Sequence, residues 1–176
     1  MLRRPVKRSV AEITELHTFG WGVEQAIQPV LESILGETLQ KTARRYDAVD
    51  FVSASYQVEL KSRRAKDKKG ALVTSKSFPD WLLPASKIRA AERSHLRTVI
   101  FYYYEGDQTL WMLFVDEQDW SEIPCRIPWF HTDKHYYVPA NLWKEVDGSL
   151  DGIPFSDSYT ELPAASDSQE KDTPVS

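Results

Sequence analysis

The chain has 176 residues, with 22 lysines and arginines against 26 aspartates and glutamates, a formal net charge of −4, and 41% hydrophobic and 12% aromatic content. That length suits one domain with a substantial core, and the lone Cys125 excludes both an intrachain disulfide framework and a multi-cysteine zinc site. No apolar run follows the basic stretch Met1–Arg8 and none is long enough to span a bilayer, so the expectation is an intracellular protein, cytoplasmic or nuclear, with no membrane partner.

Charge is unevenly distributed. Residues 145–176 hold eight acids and one base, which leaves residues 1–144 with 21 bases, 18 acids and a net charge of +3. A mildly basic body is compatible with nucleic acid without requiring it. Residues 1–9 read as a basic flexible arm and 10–147 as the folded domain. Residues 148–176, rich in Ser, Asp, Pro and Ala, read as an acidic disordered tail.

In chain order, Val10–Leu16 suits a short helix ending near Phe19–Gly20. A second helix from Gly20 to Glu37 would gather Val23, Ala26, Ile27, Val30, Leu31, Ile34 and Leu35 on one face. Pro29 would either start its tighter half or kink it, and Gly36 would stop it. Strands follow over Leu39–Arg45, Tyr46–Val52 and Tyr56–Arg63. The last alternates Tyr56, Val58 and Leu60 with Gln57, Glu59 and Lys61, and residues two apart on a strand share a face. A short hairpin would bring Asp50 beside Glu59 and Lys61. Two carboxylates converging with one ammonium are costly unless a divalent cation balances them.

Further along, Arg63, Arg64, Lys66, Lys68 and Lys69 form a basic loop, readable as a solvated surface or as a grip on phosphate. A helix is predicted from Pro79–Asp80 through Arg93, with Trp81, Leu82, Ala85, Ile88 and Ala91 as its stripe and Lys87 and Arg89 near its centre. Thr98–Tyr104 and Thr109–Val115 predict an apolar hairpin from the middle of a sheet. Residues 120–143 are rich in aromatics and prolines and are expected to cover a sheet edge. His131 and His135 there lack a third ligand and read as packing or surface histidines.

The pattern Asp50…Glu59-Leu60-Lys61, with a helix before it and helix, strand, strand after it, resembles the signature of the PD-(D/E)XK nuclease superfamily over roughly residues 20–116. Val49 stands where that family often has proline. The Pro79–Asp80 pair lacks an acid-x-lysine triplet at hairpin distance. The resemblance implies an α/β, restriction-endonuclease-like fold: a mixed central sheet flanked by helices with an αβββαβ core. It also implies a metal-dependent nuclease. Asp50, Glu59 and the main-chain carbonyl of Leu60 would hold Mg²⁺ or Mn²⁺, and Lys61 would position the attacking water. Glu24 is the expected fourth member of the site, as a metal-orienting or second-metal carboxylate, because Gly20-x-Gly22-x-Glu24 resembles Holliday-junction resolvases of this superfamily; Glu32 is its rival. Arg63, Arg64, Lys66, Lys68, Lys69 and Lys87 become the candidate nucleic-acid contacts.

Two alternatives stand beside the DNA endonuclease reading. One is an RNA endonuclease of the cap-snatching type, in which His17 would supply an upstream histidine. Those enzymes usually displace the lysine that here stands in place, which favours DNA. The other is a non-catalytic nucleic-acid-binding module on a nuclease fold, against which the intact Asp50, Glu59 and Lys61 speak. A homodimer would let two sites cut both strands, although the sequence carries no dimerisation signal.

Overall fold

The computed structural model describes residues 10–42, 48–67, 69–128 and 131–146, with side chains from Phe19 onward. The basic arm, the acidic tail, Lys68 and the side chain of His17 lie outside the described residues. The two helices expected before the hairpin are one, α1 (Val10–Leu35), which runs through both glycines and Pro29. A glycine inside a helix costs only about 1 kcal/mol. Pro29 and Gln25 lie on the exposed side, where water can satisfy the carbonyl that Pro29 leaves unpaired. Gly36 ends the helix in a left-handed conformation (φ 70°), and its N–H donates to the Glu32 carbonyl at 2.8 Å.

Among the described residues nine strands follow. β1 (Gln40–Lys41) and β2 (Phe51–Val52) are much shorter than the predicted Leu39–Arg45 and Tyr46–Val52, and residues 43–47 between them lie outside the described residues. β3 (Tyr56–Arg63) has the predicted bounds. The predicted helix from Asp80 does not start there. Asp80–Pro84 is strand β4, and α2 is confined to Ala85–Glu92. Pro84 explains the change: it forces extended backbone on the residue before it, and Trp81 and Leu83 then alternate inward as a strand requires. β5 (Arg97–Tyr104) and β6 (Thr109–Phe114) form the expected hairpin. They are followed by β7 (Cys125–Arg126), β8 (His135–Pro139) and β9 (Lys144–Glu145).

The main sheet is mixed, with order β1-β2-β3-β5-β6-β9. β3 and β5 run parallel across the α2 crossover, and the other neighbours are antiparallel. One face carries Phe51, Val58, Leu60, Val99, Phe101 and Tyr103, packed under Val23, Ile27 and Leu31 of α1. The other carries Ile100, Tyr102 and Tyr104, covered by Ile88 of α2 and by Trp81, Leu83 and Val138 of a second sheet, order β4-β8-β7. The aromatic and proline-rich region therefore lies over a sheet face rather than along an edge. Trp81 sits at its centre, with ring centroids 4.9–5.4 Å from those of Tyr102, Tyr104, Trp111 and Trp143. With both faces covered, β5 is buried along nearly its whole length, as its apolar run requires.

Candidate active site

Asp50 stands at a fork between β2 and β3. Its N–H donates to the Val58 carbonyl at 2.9 Å, continuing the ladder, but the next rung is a side chain: the Leu60 N–H donates to Asp50 Oδ2 at 2.8 Å. From the other side, Thr42 N–H donates to the Asp50 carbonyl at 3.0 Å and Thr42 Oγ1 to the Val49 carbonyl at 2.8 Å. Within an extended strand the N–H and C=O of one residue point to the same edge. The Leu60 carbonyl thus shares the edge on which Asp50 lies.

The Asp50 carboxylate takes a place in the backbone ladder, with charged groups on the sheet faces to either side of it. On the α2 face, β3 presents Gln57, Glu59, Lys61 and Arg63 in a row, in register with Thr98, Ile100, Tyr102 and Tyr104 of β5. Glu59 is 2% exposed; one of its oxygens meets the Lys61 ammonium, and Oε2 accepts from Lys87 Nζ at 2.8 Å. Lys87 also donates to the Ala48 carbonyl at 2.8 Å, so α2 is tied both to β3 and to the segment ahead of Asp50. On the α1 face, Glu24 borders the buried Val23–Ile27–Leu31 stripe and pairs with Lys41 of β1, whose ammonium lies 3.9 Å from Asp50 Oδ1.

Burial pushes the Glu24 carboxyl above the usual carboxylate range. The Lys41 hydrogen bond opposes this, and the charges of Asp50 and Glu59 add to it. Burial pulls the Lys61 ammonium down, but Glu59 and, more weakly, Asp50 outweigh that, and the net shift is upward. These mutual effects mark Glu24, Asp50, Glu59 and Lys61 as one electrostatic unit.

The donor set is hard oxygen: three carboxylates and one backbone carbonyl, which suits Mg²⁺ or Mn²⁺ in kind. In arrangement, Glu24 and Glu59 are turned onto lysines and Asp50 is shared with a backbone amide. Among the described residues no three His, Cys, Asp or Glu side chains gather as a metal-ligand group. Three ammoniums hold the positive charge that three carboxylates require.

The structure thus brings Glu24, Asp50, Glu59, Leu60 and Lys61 together. Glu32 is elsewhere: its Oε1 accepts from the Leu39 N–H at 2.9 Å and from Gln28 at 3.2 Å, fastening α1 to the approach to β1. Gln57 donates to Thr98 Oγ1 at 2.6 Å, away from the carboxylates. Of the candidate nucleic-acid contacts, Arg63 bonds the Tyr102 hydroxyl at 2.9 Å, Arg64 pairs with Glu105 at 3.2 Å, and Lys66 and Lys69 are exposed. The His131 and His135 rings meet at a tilt of 36° with centroids 4.4 Å apart, and His135 is buried. Lys41 was invisible to motif reading. Its one signal is parity, since it lies two residues after Leu39 and so shares a face with a core residue. Lys87 stood out only as a basic residue beside the buried Ile88.

No protein-family model matches the chain, and no curated protein does. The solved structure of a nuclease from a fusselovirus aligns with a TM-score of 0.40 at 11% identity, covering 81% of this chain and 90% of that one. Among the described residues no helix is long and apolar enough to cross a membrane.

Proposed function

We propose that this chain is a Mg²⁺- or Mn²⁺-dependent nuclease on a restriction-endonuclease-like αβββαβ core, hydrolysing phosphodiester bonds within DNA. The observation that carries the reading is the fork: Asp50 takes a backbone place beside Leu60 while Glu59 and Lys61 flank it from β3. Asp50, Glu59 and the Leu60 carbonyl would hold the ion, with Glu24 the third acid of the site. When bound, it would neutralise phosphate charge and lower the pKa of water.

The chain's own groups do the rest. Lys61, whose ammonium Glu59 and Asp50 stabilise against the opposing pull of burial, serves as a donor. It orients the attacking water and meets the negative charge that develops on the phosphorus oxygens. Lys87 fixes Glu59 and the segment ahead of Asp50 in one geometry. Water oxygen bonds to phosphorus, the P–O ester bond breaks, the leaving alkoxide takes a proton and the water proton passes to solvent.

The test is cleavage of duplex, single-stranded, flap, four-way-junction and RNA substrates with Mg²⁺ or Mn²⁺, by the parent and by Lys61→Ala. DNA cleavage by the parent, lowered about 10²–10³-fold in a folded Lys61→Ala, is the expected result. Undiminished cleavage by Lys61→Ala overturns the mechanism. DNA binding without cleavage by the parent selects the non-catalytic alternative.

A further inference from the structure

Lys41 belongs to no motif, yet it bridges two acids that arrive from different elements. Its ammonium pairs with Glu24 Oε2 on α1 and stands 3.9 Å from Asp50 Oδ1 at the fork. Backbone pairing of β1 sets Lys41 opposite Phe51, and the ammonium lies 4.8 Å from the centroid of that ring. The lysine stem is thereby laid on a buried aromatic and its charge delivered to one point. A cation shared by Glu24 and Asp50 would have to occupy that point.

Charge balance agrees. Glu24, Asp50 and Glu59 are matched by Lys41, Lys61 and Lys87, so the cluster is neutral on its own. A phosphodiester adds one negative charge and attack by hydroxide adds a second. One divalent ion cancels both; two would leave the site with an excess of two positive charges.

We propose that Lys41 is a resident cation standing in for a second metal ion, so that the site takes one divalent ion, on Asp50 and Glu59, and Glu24 serves to hold Lys41. This rests on the metal-dependent reading above and assigns the roles within it. Lys41 acts through Asp50 and is a positioning residue.

The experiment is a titration of the full chain with Mn²⁺, read by electron paramagnetic resonance. Bound stoichiometry is one readout, and spin coupling between neighbouring ions, which scattered surface ions do not show, is the other. The parent is expected to bind one uncoupled Mn²⁺ at the site, and Lys41→Arg, which keeps the charge, the same. Lys41→Met keeps the stem over Phe51 and is expected to bind two coupled ions; Lys41→Met with Glu24→Gln should return to one. A coupled pair in the parent, or no second ion in folded Lys41→Met, overturns the assignment while leaving metal dependence standing. A parent that binds no Mn²⁺ at Asp50 and Glu59 overturns both.

Discussion

Replacing Glu59 by Gln in the metal-free protein is expected to destabilise it, although from the sequence alone the same change relieves repulsion between two carboxylates. Glu59 is 2% exposed and meets two ammoniums, Lys61 and Lys87, the latter at 2.8 Å. At an effective dielectric of about 20, one such pair is worth roughly 6 kcal/mol of gross Coulomb attraction, much of it offset by desolvation. Glutamine keeps the shape but turns an amide donor or a neutral oxygen toward groups that need an anion. Breaking a fully buried pair costs about 3–5 kcal/mol. The Lys61 and Lys87 side chains remain 31% and 20% exposed and can turn toward water. A net loss of about 2–3 kcal/mol follows once that escape is allowed for. At about 4 °C per kcal/mol for a domain of this size, the midpoint should fall by about 8–12 °C. Thermal and urea denaturation in chelator measure it. The double variant with Lys87→Met should recover part of the loss, because it removes one of the stranded ammoniums. A Glu59→Gln protein as stable as the parent in chelator would refute the electrostatic account of the cluster.

Two further outcomes separate structural from functional acids and probe the buried aromatics. Glu32→Gln is expected to cost about 1–2 kcal/mol, because the Leu39 N–H loses a charged acceptor. Glu24→Gln should leave stability nearly unchanged, since the upward shift of its carboxyl means the fold gains little from its ionisation. Paired urea titrations decide between them, and the reverse ranking would show that Glu24 is the structural acid. Burial holds the Tyr103 and Tyr104 hydroxyls well above the ordinary tyrosine range. Their folded pKa values exceed the unfolded value of about 10, so the stability they confer is intact below that pH and is lost as pH rises above it. The expected slope is about 2.7 kcal/mol per pH unit for the two together, with tyrosinate absorbance rising as the protein unfolds. Ionisation of all tyrosines near pH 10 in a protein still folded would contradict their burial.

Local patterns determined a good part of this protein. Alternation of Tyr56–Arg63 set β3 with Glu59 and Lys61 on one face, the apolar runs after Leu96 set the β5–β6 hairpin, and Gly36 set the end of α1. These depend on periods of two or 3.6 residues and on a backbone conformation glycine favours, all of which act within a few residues. Other features needed contacts from far along the chain. Asp80–Pro84 became a strand because β8 supplied its pairing partner and Pro84 stopped a helix from starting earlier. α1 stayed continuous through two glycines and a proline, with its stripe buried against the sheet. Most of all, only the tertiary structure decided how the acids are balanced. Lys41 reaches Glu24 across 17 residues and Lys87 reaches Glu59 across 28, and electrostatics depend on distance in space, which no local period encodes.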